Sequence, residues 1–511
     1  MRKCFCFILI VTIFRLLPLT ASAEEKAVLW PERIQATYSP KPDPTELGPE
    51  EAAAKELAEK LDTHDLLYTG KVVVDKSREM LQPVERVAMH NGSKYVIAKT
   101  PPEIEFGVIP ATPHWFPEPV DDHHRAMWAN WGQSAYYPVT DKFYCSMGDN
   151  GSYNAHLYIV EYDPATKTMT MSPEINEVLG RSDEVFGEGK IHGNLEFMDG
   201  PNLWFCTYWS KYPEPKPEDW DTGYLGGHVM SYNVETGEFV DYGVPMPRAS
   251  WPSARLDVKR RMIYAAGYWP NFLSYDVDAR RPIYAGQLPE ELKWSNRVMM
   301  IDDATGMLYT SNQDPSDPEC NLIKYDYTKN RFELLDAPMP ADEIGEDHTI
   351  AVMRGCTPKR GTDGLLHGIT SNGQVFSFDP DAVKVRDLGY GWPGEERYTT
   401  SIERSPGGRY LYYVPGAHGH GCRDGSPIMQ YDLQTGQRKV LAFVARYYWE
   451  KYGYVPSGTF AIKLDDAGER LFIIWNGGYF DEEAAFGEAR TSLFKHNAIM
   501  LIHIPESERE E

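Results

Sequence analysis

The chain of 511 residues is 42% apolar and 25% charged, which is too apolar for a disordered protein and long enough to bury a large core. Acidic residues outnumber basic residues by 75 to 51, so the net charge is −24. A chain this acidic is a poor candidate for a general nucleic-acid-binding protein, because the phosphate backbone attracts basic surfaces.

The first 23 residues have the pattern of a secretory signal. Two basic residues precede an apolar stretch from Cys4 to Leu19, and Ala21-Ser22-Ala23 is a small-residue cleavage site. No later stretch approaches ~18 uninterrupted apolar residues, so we expect an exported chain, secreted or periplasmic, that does not insert into a membrane. The five cysteines after the signal are too sparse, and odd in number, for a disulfide scaffold.

Residues 24–67 are expected to form an extension before the main domain. Residues 24–48 contain four prolines and are expected to be extended. Pro49 to Leu67 (PEEAAAKELAEKLDTHDLL) has the helix formers and the apolar spacing of an α-helix. The rest of the chain, 68–511, shows no comparably long helical periodicity and is expected to form one domain.

Two short motifs recur along residues 142–505. The first is a strand that ends in Tyr-Asp or a close variant before a polar turn, at Tyr162, Tyr232, Tyr275, Tyr325, Phe378 and Tyr431. The second is a β-rich strand that ends in small residues, as in KFYCSMG, NLWFCTY, RMIYAAG, MLYTSN, LLHGITSNG, RYLYYVPG and RLFIIWNGG. The last of these is followed by AIMLIHIP (498–505), a seventh copy of the strand that carries the first motif.

Seven units of two hairpins each predict an all-β fold, a seven-bladed β-propeller with a short N-terminal helical extension. The alternative is a pair of β-sandwiches or another all-β array, since the spacing of the repeats is irregular. We expect the ring to close by pairing an N-terminal strand, around Lys71–Val74 or Tyr95–Ala98, with the last blade.

Propellers carry functional groups at one mouth of the central channel, so polar residues next to inner strands are the candidates. The segment from Gly187 to Trp209 is the strongest, with Lys190 and His192 before one predicted strand and Tyr208 at the end of the next. The alternative is that His192 is a structural hydrogen-bonding residue. Further candidates, each of which is more often structural than catalytic, are His156, Arg255, Tyr268, Asn296, Arg297 and Asn312.

The sequence GAHGHGC (416–422) indicates a metal site. His418, His420 and Cys422 alternate, so in an extended strand they would share one face. Imidazole and thiolate are typical zinc ligands, and Cys356 or His367 on the preceding blade would supply a fourth. The alternative is a glycine-rich strand end with two surface histidines and a buried cysteine.

These features together resemble the seven-bladed propeller ulvan lyases, which are polysaccharide lyases of marine bacteria. The likeness covers the architecture from Lys71 to Pro505. It implies a histidine and a tyrosine as base and acid, an arginine that holds the uronate carboxylate, and a structural zinc ion. By residue type and position these are His156 or His192, Tyr208 or Tyr268, and Arg255, and Lys190, Asn296 and Arg297 are candidate substrate-binding residues.

The resemblance implies an enzyme that cleaves a uronate-containing, ulvan-like polysaccharide by β-elimination, and we expect the chain to be a monomer. A sulfated polymer would need a local basic patch in this acidic chain, and Lys190, Arg255, Arg280, Arg281 and Arg297 are candidates for it. Two other classes stay open. One is a non-catalytic propeller that binds a glycan or a protein, and the other is a metal-dependent propeller hydrolase.

Overall fold

A computed structural model describes most of the chain after residue 68. The described residues are Leu66, the backbone of Lys26–Val28 and Ile34–Gln35, and the ranges 69–110, 128–153, 155–182, 185–209, 215–267, 271–314, 319–340, 352–487 and 494–509. The predicted signal (1–23) and, apart from Leu66, the predicted helix of residues 49–67 lie outside these residues.

Seven sheets, antiparallel apart from one added strand in blade 6, form the blades of a β-propeller, which confirms the predicted fold class. From the inner strand outwards, blade 1 consists of Trp128–Ala129 with Ala135–Tyr137, Lys142–Asp149, Leu157–Asp163, Thr168–Met171 and Ile34–Gln35. Blade 2 consists of Glu196–Phe197, Asn202–Cys206, Val229–Asn233, Phe239–Asp241 and Lys26–Val28. Blade 3 consists of Ser253–Asp257, Met262–Ala266, Asn271–Asp276 and Arg281–Gln287.

The other four blades repeat this order. Blade 4 consists of Met300–Ile301, Leu308–Ser311, Asn321–Asp326 and Arg331–Pro338, and blade 5 of Met353–Cys356, Leu366–Thr370, Gln374–Asp379 and Lys384–Tyr390. Blade 6 consists of Ile402–Arg404, Tyr410–Tyr413, Pro427–Asp432, Arg438–Phe443 and Val96–Ile97. Blade 7 consists of Tyr454–Leu464, Arg470–Tyr479, His496–His503, Glu103–Val108 and Val72–Asp75.

Few other elements interrupt the blades in the described ranges. A two-stranded ribbon joins Glu188–Lys190 to Tyr208–Trp209. The helices are short and comprise Arg78–Leu81, Glu85–Ala88, Ile175–Val178, Pro217–Asp221, Gly421–Asp424, Ala445–Tyr452, Glu482–Phe486 and Glu506–Glu508. Across the part of the chain that the structure describes, every helix is too short or too polar to span a membrane.

Both sequence motifs are strands at fixed places in the blades. The small-residue motif is the second strand of each blade, and the Tyr-Asp motif is the third. The acidic or amide side chain of the Tyr-Asp motif closes the following turn, as Asp163 does by accepting hydrogen bonds from the backbone N–H groups of Ala165 (2.9 Å) and Thr166 (3.2 Å). Such turns are encoded locally, which is why the sequence reveals them.

The ring is closed by N-terminal strands, as predicted, although only one of the two candidate segments belongs to the last blade. Glu103–Val108 pairs with His496–His503 of blade 7, and Val72–Asp75 pairs with Glu103–Val108 as the outermost strand. The prediction for Tyr95–Ala98 is wrong in detail, because Val96–Ile97 pairs in parallel with the outermost hairpin strand of blade 6. The N-terminal segment therefore ties blades 6 and 7 together.

The core lies between the faces of neighbouring blades. Phe472 and Ile499 of blade 7 pack with Phe143 and Tyr162 of blade 1, for example, and all four side chains are buried. None of the five cysteines in the described chain is in a disulfide. The large core makes cross-links unnecessary for a domain of this size.

Candidate functional site

A cavity of about 230 Å³ lies in the central channel of the propeller. Residues on or next to the inner strand of every blade line it, including Tyr136, Glu196, Arg255, Val298, Arg354, Glu403 and Lys463. Inner strands of successive blades begin at the same end of the ring, which we call the upper mouth. Residues that immediately precede these strands therefore converge there from distant parts of the sequence.

His192 lies at the upper mouth on the tightly held segment 191–194. Its neighbour Gly193 approaches blade 3 so closely that a side chain at this position would lie 2.5 Å from the backbone nitrogen of Ala254. The Asn194 N–H donates to the Ala254 carbonyl (2.9 Å), and the Gln133 N–H of blade 1 donates to the Gly193 carbonyl (3.1 Å). His192 is thus held from both sides by neighbouring blades.

The hydrogen bond of His192 fixes its tautomer. Nδ1 lies 2.6 Å from the carbonyl oxygen of Pro252, which only accepts, so Nδ1 carries the proton and Nε2 has the lone pair. Burial lowers the pKa of His192 well below its usual value, and the positive charges of Arg297, Arg354 and Lys190 lower it further. The imidazole is therefore neutral at physiological pH and able to take a proton at Nε2.

Lys190 is a buried cation beside His192. Its side chain extends from the ribbon strand Glu188–Lys190, and Nζ lies 4.3 Å from the ring centroid of Tyr208 and 5.0 Å from that of Trp131. Burial lowers its pKa well below the usual value, and the charge of Arg297 adds to this effect. Aromatic faces stabilise an ammonium group, but they do not neutralise its charge.

Arg354 is a second buried cation at this mouth, and it was missed in the sequence. Its guanidinium carbon lies 5.3 Å from the ring centroid of Tyr398 and 5.5 Å from that of Phe460, and Nε donates a hydrogen bond to the Tyr398 hydroxyl. Burial lowers the pKa of Arg354; Tyr398 opposes this effect, and Arg297 adds to it. The ring of His418 stacks on Tyr398 with centroids 3.7 Å apart.

Four basic or imidazole side chains thus form one group, which we call the cationic mouth and define as Lys190, His192, Arg297 and Arg354. Among the charged residues that line the cavity itself, four are basic (Arg255, Arg297, Arg354 and Lys463) and two are acidic (Glu196 and Glu403). A local excess of positive charge in a chain of net charge −24 favours an anionic ligand at this place.

A mixed layer of charges lies deeper in the cavity. Arg255 Nε lies 3.4 Å from Glu196 Oε1, and Lys463 Nζ lies 3.2 Å from Glu403 Oε1. Burial lowers the pKa of the Arg255 guanidinium, but the nearby Glu196 and Cys356 raise it by more, so the pKa lies above its usual value. Because a carboxylate already neutralises Arg255, this residue is less suited than Arg297 or Arg354 to bind an anion.

Not all of the candidates line the cavity: Lys190 and Tyr208 lie beside His192 but are absent from the cavity wall. His156 is buried against Glu174, with Nδ1 and Oε1 4.0 Å apart, and does not line the cavity. Asn296 is buried next to Arg297 but is likewise absent from the cavity wall, and Tyr268 lies outside the described residues.

Arg280 and Arg281, two candidates for the basic patch, lie on the outer hairpin of blade 3, where Arg280 packs over the ring of Tyr242.

The predicted strand with His418, His420 and Cys422 on one face is wrong. Residues 417–420 form a turn and Gly421–Asp424 form a 3-10 helix, because Gly416 and Gly419 adopt φ angles of +84° and +93° that bend the backbone.

The predicted zinc ligands have other contacts. Cys422 Sγ donates to the Ala485 carbonyl (3.1 Å), whereas Cys356 Sγ lies 3.4 Å from an Arg255 nitrogen. Within the described ranges, no three His, Cys, Asp or Glu side chains are grouped so that they could hold a metal ion. The zinc site therefore stays a prediction, which elemental analysis of the purified chain tests directly.

Comparison with known proteins adds no assignment: neither a family model nor a curated protein matches this chain. The fold therefore defines only a class, a seven-bladed β-propeller, and its central cavity is lined by more basic than acidic side chains.

Proposed function

We propose that this protein is a polysaccharide lyase that cleaves a uronate-containing polymer by β-elimination. The observation that carries the proposal is that a neutral, buried imidazole, His192, and the guanidinium groups of Arg297 and Arg354 line one cavity. Export of the chain, predicted from residues 1–23, would bring it to extracellular polymers. A uronate supplies the negative charge that this mouth attracts.

The chemistry requires three functions. The proton on C5 of a uronate is poorly acidic beside a carboxylate anion, so that anion must first be neutralised, which we assign to Arg297 and Arg354. His192 Nε2 then removes the C5 proton, the electron pair forms the C4=C5 double bond, and the bond from C4 to the glycosidic oxygen breaks. A proton from Tyr208 passes to the leaving oxygen.

The electrostatics of the mouth match this order of events. Without substrate, burial holds the pKa of His192 well below its usual value and the cations lower it further, which makes the imidazole a weak base. A bound carboxylate offsets those charges and raises the pKa of His192 towards the working pH. Substrate binding would thus activate the base. Tyr208 is assigned as the acid because its ring centroid lies 5.8 Å from that of His192.

The test is to incubate the purified chain with ulvan and with polygalacturonate and to follow the ultraviolet absorbance of the unsaturated uronate. We expect a time-dependent rise that His192→Gln reduces by about 100-fold or more, as for loss of a general base. His503→Gln, the same change at a half-buried histidine paired with Glu105 in blade 7, is the matched control. Tyr208→Phe should reduce turnover and leave polymer binding intact.

Three outcomes would contradict the proposal. New reducing ends without a rise in absorbance would indicate a hydrolase. Retention of the chain on the polymer without any product would indicate a binding module. Full activity of the folded His192→Gln variant would remove this residue from the mechanism.

A further inference from the structure

We infer that a second pocket, between the outer strands of blades 5 and 6, binds the acidic groups of the same polysaccharide; this inference rests on the proposed function. The pocket has a volume of about 500 Å³, compared with about 230 Å³ for the central cavity. Its wall includes Lys94, Tyr390, Trp392, Arg397 and Arg438. We call it the rim pocket.

The charge of the rim pocket points to an anion. Three of the side chains in its wall are basic, and among the described residues that line it there is no carboxylate. Arginine and lysine side chains bind carboxylates and sulfates through charge-assisted hydrogen bonds. In a chain of net charge −24, three bases without an acid in one wall are a marked local exception.

The two arginines are held in place by the fold. Arg397 Nε donates to the Gly394 carbonyl (2.8 Å), and its guanidinium carbon lies 4.5 Å from the ring centroid of Tyr390. Arg438 donates to the carbonyls of Leu388 (3.1 Å) and Gly436 (3.1 Å). Guanidinium groups fixed in this way lose little conformational entropy when they bind a ligand. The exposed side chain of Lys94 completes the wall.

The rim pocket is close to the central cavity along the chain. The connection between blades 5 and 6 contributes Arg397 to the rim pocket and Thr400 to the central cavity. These positions are three residues apart in the sequence, so their Cα atoms lie at most about 11 Å apart. A polymer with repeated acidic groups would contact both places, and the rim pocket would raise its effective concentration at the cationic mouth.

The test compares Lys94→Glu with Lys384→Glu in the full chain. Both lysines are exposed, and both substitutions change the net charge equally. Lys384 serves as the control because it begins the strand Lys384–Tyr390, about 20 Å from the end of that strand at Tyr390, which lines the rim pocket. For polygalacturonate at low ionic strength, calorimetry should show a Kd about ten-fold higher for Lys94→Glu, as expected from the loss of one charged hydrogen bond. Lys384→Glu should bind as the wild type does, and Arg397→Gln should weaken binding as Lys94→Glu does.

The outcomes separate the two proposals. If the wild type releases unsaturated products while both rim variants bind polygalacturonate as tightly as the wild type, the rim pocket is refuted and the lyase stands. If the wild type forms no product but Lys94→Glu selectively weakens binding, the rim pocket stands and the lyase is refuted. Equal weakening by Lys94→Glu and Lys384→Glu would reflect net charge alone and would also overturn the rim pocket.

Discussion

The arrangement at the upper mouth makes the pKa of His192 depend on Arg297. After burial, the charge of Arg297 is the first of three that lower this pKa, and Arg297 also lowers the pKa of Lys190. Replacement by glutamine removes the charge and keeps a polar side chain of similar length. We therefore expect Arg297→Gln to raise the pKa of His192.

The direction of the shift follows from Coulomb's law, because a positive charge near the imidazole disfavours its protonated form and removal of that charge relieves the repulsion. Arg297 is half-buried, so solvent screens part of its charge. This screening makes the expected rise in the pKa of His192 smaller but does not change its direction.

The shift is measured by NMR titration of the chain with isotope-labelled histidine, in which the His192 signal is assigned by its absence from His192→Gln. Arg281→Gln, the same change at an exposed position of blade 3, should leave the titration unaltered. Because the base must be neutral to act, the acid limb of kcat/KM for polygalacturonate should move to higher pH in Arg297→Gln. An unchanged His192 titration in folded Arg297→Gln would refute the electrostatic reasoning.

Three further predictions concern stability, each measured by chemical denaturation. Arg360→Gln would leave the buried carboxylate of Asp302 without the cation whose Nη2 lies 2.7 Å from it, and should lower the free energy of unfolding by about 3 kcal/mol at pH 7. The pKa of Asp302 is lowered in the folded chain, so the stability that this ion pair provides is present above the unfolded pKa of about 4 and is lost as the pH falls below it. If Arg360→Gln lowered the free energy of unfolding equally at pH 7 and at pH 3, this account would be contradicted. Phe106→Ala, in the N-terminal strand that closes blade 7, should lower the free energy of unfolding by about 3–5 kcal/mol, because the Phe106 side chain is fully buried and its ring centroid lies 4.5 Å from that of Tyr448. A decrease below about 1 kcal/mol would mean that this strand contributes little to stability. Val383→Asn should raise the free energy of unfolding by about 1 kcal/mol, because a β-branched residue is strained at the φ of +52° that Val383 adopts in an exposed turn. An unchanged free energy of unfolding would show that the turn relaxes and that Val383 is not strained.

The sequence by itself determined the number of blades and the position of two strands in each. Its signals are local: the side chain at the end of each Tyr-Asp motif closes its own turn, and the second strand of each blade is a run of apolar and small residues. The inner strands were not visible, because some contain only two residues, such as Glu196–Phe197 and Met300–Ile301. Candidates next to them were therefore chosen by residue type alone.

Only the tertiary structure decided which of those candidates meet. It brings Lys190, His192, Tyr208 and Arg297 to one mouth, together with Arg354, which the sequence did not single out. Convergence at the channel depends on the rotation between blades, which brings together residues up to 164 positions apart, and no local pattern encodes that rotation. Only the tertiary structure decided the pKa of His192 as well, because that pKa depends on burial and on cations supplied by other blades.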